Sequence, residues 1–376
     1  MKKILFILPS LAVGGLEHVQ VNIANTLAER GYNITIIALN PYADLLPQLD
    51  KRVRYIHKPY KQHKIMKKIP YIRNKFYDDG MWETRASSKK LYKYYVGKER
   101  YDIEIAFFRG LPIKIISGST NNDSVKLAWV HSDFRKAVGY KNNFKNMQAV
   151  KDAYEKFDKI VCVSIQAKVS FESVIGLSNK TVVINNLMPI SDIQRKFYEQ
   201  CDIPKNKIVF LTIGHFIEVK GYERLLRVVK MLSKEYAFEL WMIGFGNNEI
   251  EYRKYIAENK LENILILGKQ DNPYKYMRLA DVYICSSFYE GFPLTVAEAI
   301  INGMAVVSTN CAGTNEMLDN GKYGLIVENS EEGLYHGIKM FLDNPEKIQY
   351  YKEKARERLD FFNEEKIINK ITELFE

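Results

Sequence analysis

The sequence of 376 residues contains few cysteines and no long apolar run. Its four cysteines form no Cys-x-x-Cys pair, which argues against a disulfide framework or zinc site and favours buried thiols in a reducing compartment. No run of about 18 apolar residues occurs, so no membrane-spanning helix is expected. The apolar stretch Ile4–Leu8 stops at Pro9, which favours a buried strand over a secretory signal.

Positive charge is concentrated in one segment. Residues 51–100 hold 16 Lys and Arg, four acidic residues and nine aromatic residues, a local balance of +12. Because the formal net charge is +10, the other 326 residues sum to −2. A segment of this kind can bind an anionic membrane surface, bind nucleic acid or form a solvated face. We favour the membrane surface, because no nucleic-acid recognition signature accompanies the charge.

Short apolar runs alternate with segments of helical periodicity along most of the chain. The first run, Lys3–Leu8, is followed by Leu16, Val19 and Ile23 at helical spacing and by Gly31 as a cap. Such alternation is typical of parallel sheets with crossover helices. Twelve strands are predicted: Lys3–Leu8, Asn33–Leu39, Ile103–Phe108, Lys126–Val130, Lys159–Val163, Thr181–Ile184, Ile208–Ile213, Phe238–Ile243, Ile264–Leu267, Val282–Ser286, Ala305–Ser308 and Gly324–Val327.

A break near residues 186–204 divides the strands into two series and predicts two doubly wound, Rossmann-like α/β domains. We assign residues 1–188 to the first domain, which includes the basic segment 51–100, and residues 189–355 to the second. Residues 356–376 are expected to form a C-terminal helix that can pack back on the first domain. Doubly wound sheets bind ligands at the carboxyl ends of their strands, so the loops there are the candidate sites.

Three of these loops have residues suited to anions. Gly14–Gly15 opens a helix and lets a ligand approach the backbone, although an ordinary tight turn has the same pattern. Lys220 lies between a strand and a helix and is well placed for a phosphate, but the chain has no P-loop signature. Gly244–Phe245–Gly246 is half of a dinucleotide fingerprint, because Glu249 occupies the third glycine position.

The most informative stretch is 286–299. Glu290 lies in the predicted loop and Glu298 on the following helix, where Pro293 fits the first turn. Two carboxylates near an anion-binding helix start can accept hydrogen bonds from sugar or ribose hydroxyls. A glycosidase also uses two carboxylates, and the spacing alone does not decide between these chemistries. The strand-end His131 is a further candidate, although a lone histidine is more often structural.

Taken together, these residues resemble the retaining glycosyltransferases of family 4, which have the GT-B fold. The resemblance rests on the two glutamates separated by seven residues in an EGFP context, the loop GTNEML, the opening GGLE, the loop GxxxxxKG and His131. It covers nearly the whole chain in order. It implies two Rossmann-like domains facing across a cleft, with a nucleotide-sugar donor mainly on the second and the acceptor on the first. The stretch WVHSDF is similar to bacterial enzymes that build surface and capsular polysaccharides.

The resemblance also implies roles for individual residues. Lys220 would contact the diphosphate, Glu298 the nucleotide ribose and Glu290 the donor sugar, with His131 near the reacting carbon. Of these, Glu290, His131 and Lys220 are the predicted catalytic residues. Further donor contacts are expected from Gly14, Gly15, His215, Gly244, Gly291, Phe292, Leu294 and Thr295, and acceptor contacts from Arg109, Asp133 and Arg135.

One departure from the family pattern is His215, which stands where the family usually has arginine. We therefore expect weaker diphosphate binding that improves below about pH 6.5 as the imidazole gains a proton. No Asp-x-Asp pair occurs in the chain, so no metal is expected. No cofactor is expected either, since the nucleotide sugar is a substrate.

The expected reaction is retaining, front-face transfer of a hexose or N-acetylhexosamine from a UDP-sugar to a polyprenyl-linked saccharide. We expect a cytoplasmic protein bound peripherally to the inner face of the cell membrane through residues 51–100, with no nucleic-acid partner. The alternatives are a hydrolysing UDP-sugar epimerase, a nucleotide-sugar-binding protein with weak catalysis, and transfer to a protein acceptor.

Overall fold

The chain forms two compact units of parallel β-sheet and helices. The computed structural model describes residues 1–59, 81–136 and 143–376. Unit 1 comprises Met1–Leu187 and Glu365–Glu376, and unit 2 comprises Met188–Glu364.

Unit 1 is built on a seven-stranded sheet with the order β3-β2-β1-β4-β5-β6-β7, in which all paired strands are parallel. The strands are β1 Lys3–Leu8, β2 Asn33–Ala38, β3 Arg54–His57, β4 Ile103–Ala106, β5 Val125–Val130, β6 Lys159–Cys162 and β7 Thr181–Val183. The helices are α1 Gly15–Glu29, α2 Met81–Arg85, α3 Ser88–Tyr95, α4 Leu111–Ile116, α5 Met147–Tyr154 and α6 Ile165–Ile175.

Unit 2 is built on a six-stranded parallel sheet with the order β10-β9-β8-β11-β12-β13. The strands are β8 Ile208–Ile213, β9 Phe238–Ile243, β10 Ile264–Gly268, β11 Val282–Cys285, β12 Ala305–Thr309 and β13 Leu325–Val327. The helices are α7 Ile190–Phe197, α8 Tyr222–Leu232, α9 Glu249–Glu258, α10 Tyr274–Leu279, α11 Leu294–Ile301, α12 Ala312–Met317, α13 Glu331–Asp343 and α14 Glu346–Glu357. A last helix, α15 Glu364–Glu373, leads into the C-terminal part of unit 1.

Both sheets have buried central strands. Ile4, Phe6 and Leu8 of β1 are buried, and so are the intervening Leu5 and Ile7, because helices cover both faces of the sheet. Strands of this kind are continuously apolar instead of alternating, which is why they stand out in the sequence. In unit 2, helix α8 adds Leu225, Val228 and Val229 to a core that it shares with the strands.

The strand order reverses once in each unit. β1 and β4 are neighbours in unit 1, and β8 and β11 are neighbours in unit 2, although neither pair is consecutive in the chain. At such a switch point the two flanking loops run in opposite directions and leave a crevice at the carboxyl ends of the strands. This places the candidate site of unit 2 in the loops after β8 and β11.

All twelve predicted strands are present, and the sequence pattern missed β3. This edge strand, Arg54–His57, pairs only with β2 among the described residues and exposes Arg54 and His57. Because both ends of β3 are charged or polar, its sequence cannot be distinguished from the rest of the basic segment. The structure ends unit 1 at Leu187 and divides the predicted tail, because residues 356–364 fall in unit 2 and 365–376 in unit 1.

The basic segment is only partly described. Residues 60–80, with six of its 16 Lys and Arg, lie outside the described residues, and so does this part of the predicted membrane-facing segment. In the flanking part, Arg54 forms an ion pair of 2.6 Å with Glu99, and Lys58 donates to the Tyr95 carbonyl. Within the described ranges no helix is long and apolar enough to cross a membrane.

Candidate functional site

An ion pair joins the two loops at the switch point of unit 2. Lys220 ends a 3₁₀ turn, Glu218–Lys220, after β8, and its Nζ lies 2.7 Å from Oε1 of Glu290 in the loop after β11. The Ser287 hydroxyl donates to the same oxygen at 2.7 Å. Burial disfavours the charge on Lys220, but attraction to Glu290 outweighs it and raises the pKa of the ammonium. Lys220 is therefore charged at neutral pH, and the structure brings these two predicted residues together.

Glu298, the second predicted glutamate, lies on α11 in a different environment. The Tyr274 hydroxyl on α10 donates to its Oε1 at 3.1 Å. Burial raises the pKa of Glu298 to about 7, and the hydrogen bond from Tyr274 and the charges of Lys196 and Lys220 oppose this shift. The two glutamates thus differ: Glu290 has an adjacent cation, whereas Glu298 has a phenol and titrates near neutral pH.

The loop between β11 and α11 is held by a buried arginine. The Arg224 guanidinium on α8 donates to the carbonyls of Ser286 at 2.6 Å and Ser287 at 3.0 Å, and it stacks 4.0 Å from the centroid of Phe288. The Thr309 hydroxyl at the end of β12 donates to the Ser287 carbonyl from the other side. These bonds satisfy carbonyls that would otherwise be buried without partners, and they fix the path of the chain into Glu290.

Helix α11 presents its N-terminus next to this loop. The helix begins at Leu294, and Pro293 precedes it at the cap instead of lying within the first turn as expected. The N–H groups of Leu294 and Thr295 lie in the first turn, where the helix itself provides no acceptor. The Thr295 hydroxyl is engaged by Tyr283 at 2.6 Å, while Gly291 and Phe292 are buried. This arrangement favours an anion beside the N-terminus.

Two glycines are required by close contacts between neighbouring loops. A Cβ at Gly244 would lie 1.9 Å from the Gly214 carbonyl oxygen, and one at Gly313 would lie 2.4 Å from that of Gly291. Close packing of the loop after β9 on the loop after β8 thus accounts for Gly244 without a dinucleotide. A donor contact at Gly244 stays a prediction.

His215 lies in the loop after β8, where its ring packs edge-on against Phe245 at 4.8 Å and is partly shielded from water. Burial of the imidazole and the nearby charge of Lys220 lower the pKa of His215 below its usual value. In the ligand-free protein the ring is therefore neutral at pH 7, and its protonation moves below the pH 6.5 expected from the sequence. The effect of His215 on diphosphate binding stays a prediction.

His131 and the candidate acceptor residues of unit 1 lie after β4 and β5. The His131 Nε2–H donates to the Phe107 carbonyl at 2.7 Å, and its buried Nδ1 has no partner within the described residues. Burial lowers the pKa of His131 to about 4, so the ring is neutral at pH 7 and offers Nδ1 as an acceptor. Arg109 donates to the Ser132 hydroxyl at 3.2 Å.

Asp133 and Arg135 form a local ion pair. Nε and Nη2 of Arg135 donate to the two oxygens of Asp133 at 2.9 and 2.6 Å, and Asp133 is buried. The charge of Arg135 is therefore already balanced by a carboxylate. This ion pair stabilises the turn after β5. An acceptor contact by either residue stays a prediction.

The predicted glycine pair is at the start of α1, with Gly14 as the cap residue and Gly15 as the first helical residue. A Cβ at Gly14 would lie 2.2 Å from Oε2 of Glu17, because that side chain folds back over the helix start. Burial raises the pKa of Glu17. The glycine thus leaves room for a carboxylate at the helix N-terminus, where it is stabilised by the helix dipole.

The sequence pattern did not single out Arg224 and Tyr274. Arg224 is a charged residue among the buried apolar positions of α8. This unusual placement is the sequence signal that could have identified it as functional. A cavity of about 340 Å³ elsewhere in unit 2, lined among others by Phe197, Met277 and Met304, contains none of the predicted site residues.

The two parallel-sheet units define a GT-B fold, and comparisons with known proteins agree. Over its whole length the chain superposes on the structure of Anabaena HepE in complex with UDP and glucose, with a TM-score of 0.75, 18% identity and 99% coverage of both chains. Residues 194–358, most of unit 2, match the family model of glycosyl transferases group 1. The whole chain therefore has the GT-B fold, and its unit 2 is similar to the glycosyl transferases group 1.

Two relatives illustrate the range of similarity. An uncharacterized glycosyltransferase of Haemophilus influenzae is 25% identical over 98% of both chains. The N-acetylgalactosamine-N,N'-diacetylbacillosaminyl-diphospho-undecaprenol 4-alpha-N-acetylgalactosaminyltransferase of Campylobacter jejuni is 30% identical over 50% of this chain. That alignment spans about half, 51%, of the Campylobacter protein.

Proposed function

We propose that the protein is a retaining glycosyltransferase that moves a hexose or N-acetylhexosamine from a UDP-sugar to a lipid-linked saccharide in bacterial surface polysaccharide synthesis. The ion pair between Lys220 and Glu290 at the switch point of unit 2 carries this proposal. The UDP bound in the Anabaena structure and the diphospho-undecaprenol in the name of the Campylobacter relative support the donor and acceptor classes.

The chemistry asks for positive charge beside the leaving diphosphate and acceptors beside the sugar. Lys220 and the N–H groups at the start of α11 would meet the phosphate charge, and Glu290 would accept from sugar hydroxyls. Without a donor, the two side chains satisfy each other. The diphosphate would compete for Lys220 and free Glu290 to turn towards the sugar.

The proposed step is front-face transfer, as in the family that the sequence resembles. The bond between the anomeric carbon and the diphosphate oxygen breaks, and the acceptor oxygen bonds to the same face of that carbon. The released diphosphate oxygen takes the acceptor proton, so no separate protein base is needed. Lys220 stabilises the negative charge that develops on the leaving group.

The acceptor would bind unit 1, and residues 51–100 would attach the protein to the anionic inner face of the membrane. The excess of 12 positive charges in this segment supports peripheral binding that weakens with salt. Arg109, Asp133 and Arg135 stay candidates for acceptor contacts.

The test is nucleotide release from UDP-, GDP- and ADP-sugars, with and without membrane lipid extract and with EDTA. We expect consumption of one donor only with extract, undiminished by EDTA, and a loss of at least 100-fold in Glu290→Ala. Glu262→Ala, at an exposed glutamate of unit 2, is the matched control and should retain full activity. Equal consumption without extract, with the sugar released, would favour an epimerase. Metal-dependent turnover would contradict the mechanism.

A further inference from the structure

Glu298 has one occupied and one open carboxylate oxygen. Oε1 accepts from the Tyr274 hydroxyl at 3.1 Å, and the described residues provide no hydrogen bond to Oε2. The side chain is half-buried on α11, so Oε2 is not sealed within the core. A carboxylate in this state has free acceptor capacity for a pair of hydroxyl groups.

Tyr274 is a permanent donor to this carboxylate. Burial and the charge of Glu298 raise the pKa of the phenol, so Tyr274 keeps its single proton across the physiological range. The backbone N–H of Tyr274 donates to the Asn272 side chain at 3.0 Å, and the Asn272 amide donates to the Lys196 carbonyl at 2.8 Å. The start of α10 is therefore tied to α7, and the hydroxyl is held at a fixed place beside Glu298.

The groups around Glu298 act in opposite directions on its charge. Burial favours the neutral acid, whereas the Tyr274 hydrogen bond and the two nearby ammonium groups favour the carboxylate. The result is a pKa of about 7 for Glu298. The groups that face Glu298 or its phenol partner are Lys196 and Asp192 from α7, Lys220 from the turn before α8, Tyr274 from α10 and Tyr283 from β11.

We propose that Tyr274 is a positioning residue of the nucleotide site, whose hydroxyl holds Oε1 of Glu298 so that Oε2 accepts from the 2′- and 3′-hydroxyls of the donor ribose. This inference rests on the proposed function, in which Glu298 bonds the ribose. Selectivity for ribonucleotides over 2′-deoxyribonucleotides follows, because a deoxy ligand has only one of the two hydroxyl donors.

The experiment is calorimetric binding of UDP, GDP and ADP and of their 2′-deoxy forms to the full chain from pH 6 to 8.5. For the nucleotide that binds, we expect the ribo form to bind about tenfold more tightly than the deoxy form at pH 8, the size of one charge-assisted hydrogen bond. This preference should fall as pH decreases through about 7, because the acceptor carboxylate becomes protonated. The diphosphate also titrates near pH 6, but it does so in both ligands and cancels in their ratio.

The decisive variant is Tyr274→Phe, which removes the hydroxyl and keeps the ring. We expect the ribo-to-deoxy ratio at pH 7 to fall towards 1, with a larger loss of affinity for the ribo ligand than for the deoxy ligand, which has only the 3′-hydroxyl donor. The pH at which the preference appears should rise, because the carboxylate has lost a donor that stabilises its charged form. Glu298→Gln should abolish both the preference and its pH dependence.

The matched control is Tyr276→Phe on the same helix. Its hydroxyl donates to the neutral side chain of Gln270 at 2.8 Å, so this variant removes a comparable bond without touching Glu298. It should keep the wild-type ratio and pH profile. Thermal unfolding of each variant establishes that it is folded at the assay temperature.

The outcomes separate this inference from the proposed function. If no nucleoside diphosphate binds the wild-type protein at any pH, the proposed nucleotide-sugar donor is contradicted, and the inference is overturned with it. If nucleotides bind but Tyr274→Phe keeps the ratio and the pH profile, the inference alone is overturned. An equal loss for ribo and deoxy ligands would assign Tyr274 a structural role and overturn it as well.

Discussion

Lys220 and Glu290 stabilise each other in the ligand-free protein, and their side chains are only 22% and 15% exposed. Lys220→Met leaves the Glu290 carboxylate without its cation, so we expect the free energy of unfolding of unit 2 to fall by about 2 kcal/mol. The double variant Lys220→Met with Glu290→Gln removes the stranded charge and should recover most of this loss. Urea denaturation at pH 7 measures both.

The control for this pair is Lys230→Met at an exposed position on α8, which should leave stability unchanged. Donor turnover should be lost in the single and double variants alike, because neither has the cation for the diphosphate. A double variant as unstable as Lys220→Met would show that the pair does not stabilise the fold.

At the residue scale, a local sequence pattern predicts the place of a candidate residue where neighbouring elements fix it. Lys220 follows a strand and precedes a helix, and Glu290 and Glu298 are eight positions apart, so their placement follows from the neighbouring elements. Tyr274 was missed because its partner lies 24 residues further along the chain, on another helix. Such a contact depends on how α10 and α11 pack, and no spacing in the sequence reports it.

Helix α8 supports the site through its buried face. Arg224 is 4% exposed and donates to two carbonyls of the loop after β11. Arg224→Met leaves the Ser286 carbonyl without its donor and removes one of the donors to the Ser287 carbonyl. We expect about 2 kcal/mol of lost stability and at least tenfold weaker nucleotide binding as the loop shifts. Thermal unfolding and calorimetry measure the two effects.

The matched control lies one turn further along α8. Arg227 forms ion pairs with Glu223 and Glu331, but its side chain is 41% exposed. Solvent screens such pairs, so Arg227→Met should cost no more than about 0.5 kcal/mol and leave nucleotide binding intact. Equal effects of the two substitutions would contradict a specific role of Arg224.

At the element scale, the buried parallel strands were predictable and the edge strand was not. β8 and β9 are apolar apart from Thr212 and Glu239, because helices cover both faces of their sheet. β3 faces solvent at its ends and has the charge pattern of a loop. The start of α11 was placed one residue early, since Pro293 is compatible both with a first turn and with a cap.

For the whole molecule, the uneven charge leads to a prediction about membranes. The protein should sediment with liposomes that contain anionic lipid at low salt and be released at about 0.5 M salt, where screening reaches only a few ångströms. Replacing Lys61, Lys64, Lys67 and Lys68 with Gln should weaken this binding, because about 1 kcal/mol is contributed by each cation near the surface.

The control removes the same total charge from unit 2, at the exposed Lys230, Lys234, Lys254 and Lys260. If binding depends on the basic segment, these four substitutions should have little effect. Equal losses in the two sets would indicate a general charge effect, and binding that persists at high salt would contradict electrostatic attachment.

The division into two sheets was visible in the sequence as two series of strands, but the assignment of the last residues to unit 1 depends on tertiary contacts. Phe375 packs edge-on against Tyr32 at 5.5 Å, and its carbonyl accepts from the Lys2 side chain. Ile368 and Ile371 are also buried. The helical period of this tail predicts an apolar face, but it does not identify the surface that covers it.

Unit 1 is therefore discontinuous, and unit 2 is inserted between its two parts. During synthesis, residues 1–187 leave the ribosome before the segment 365–376 exists, whereas residues 188–364 emerge as one uninterrupted stretch. Unit 2 can complete its core while the chain is still growing. Unit 1 cannot be completed until residues 365–376 are made, and until then the apolar surface near Tyr32 stays uncovered. The half of the protein that is made first is the half that is finished last.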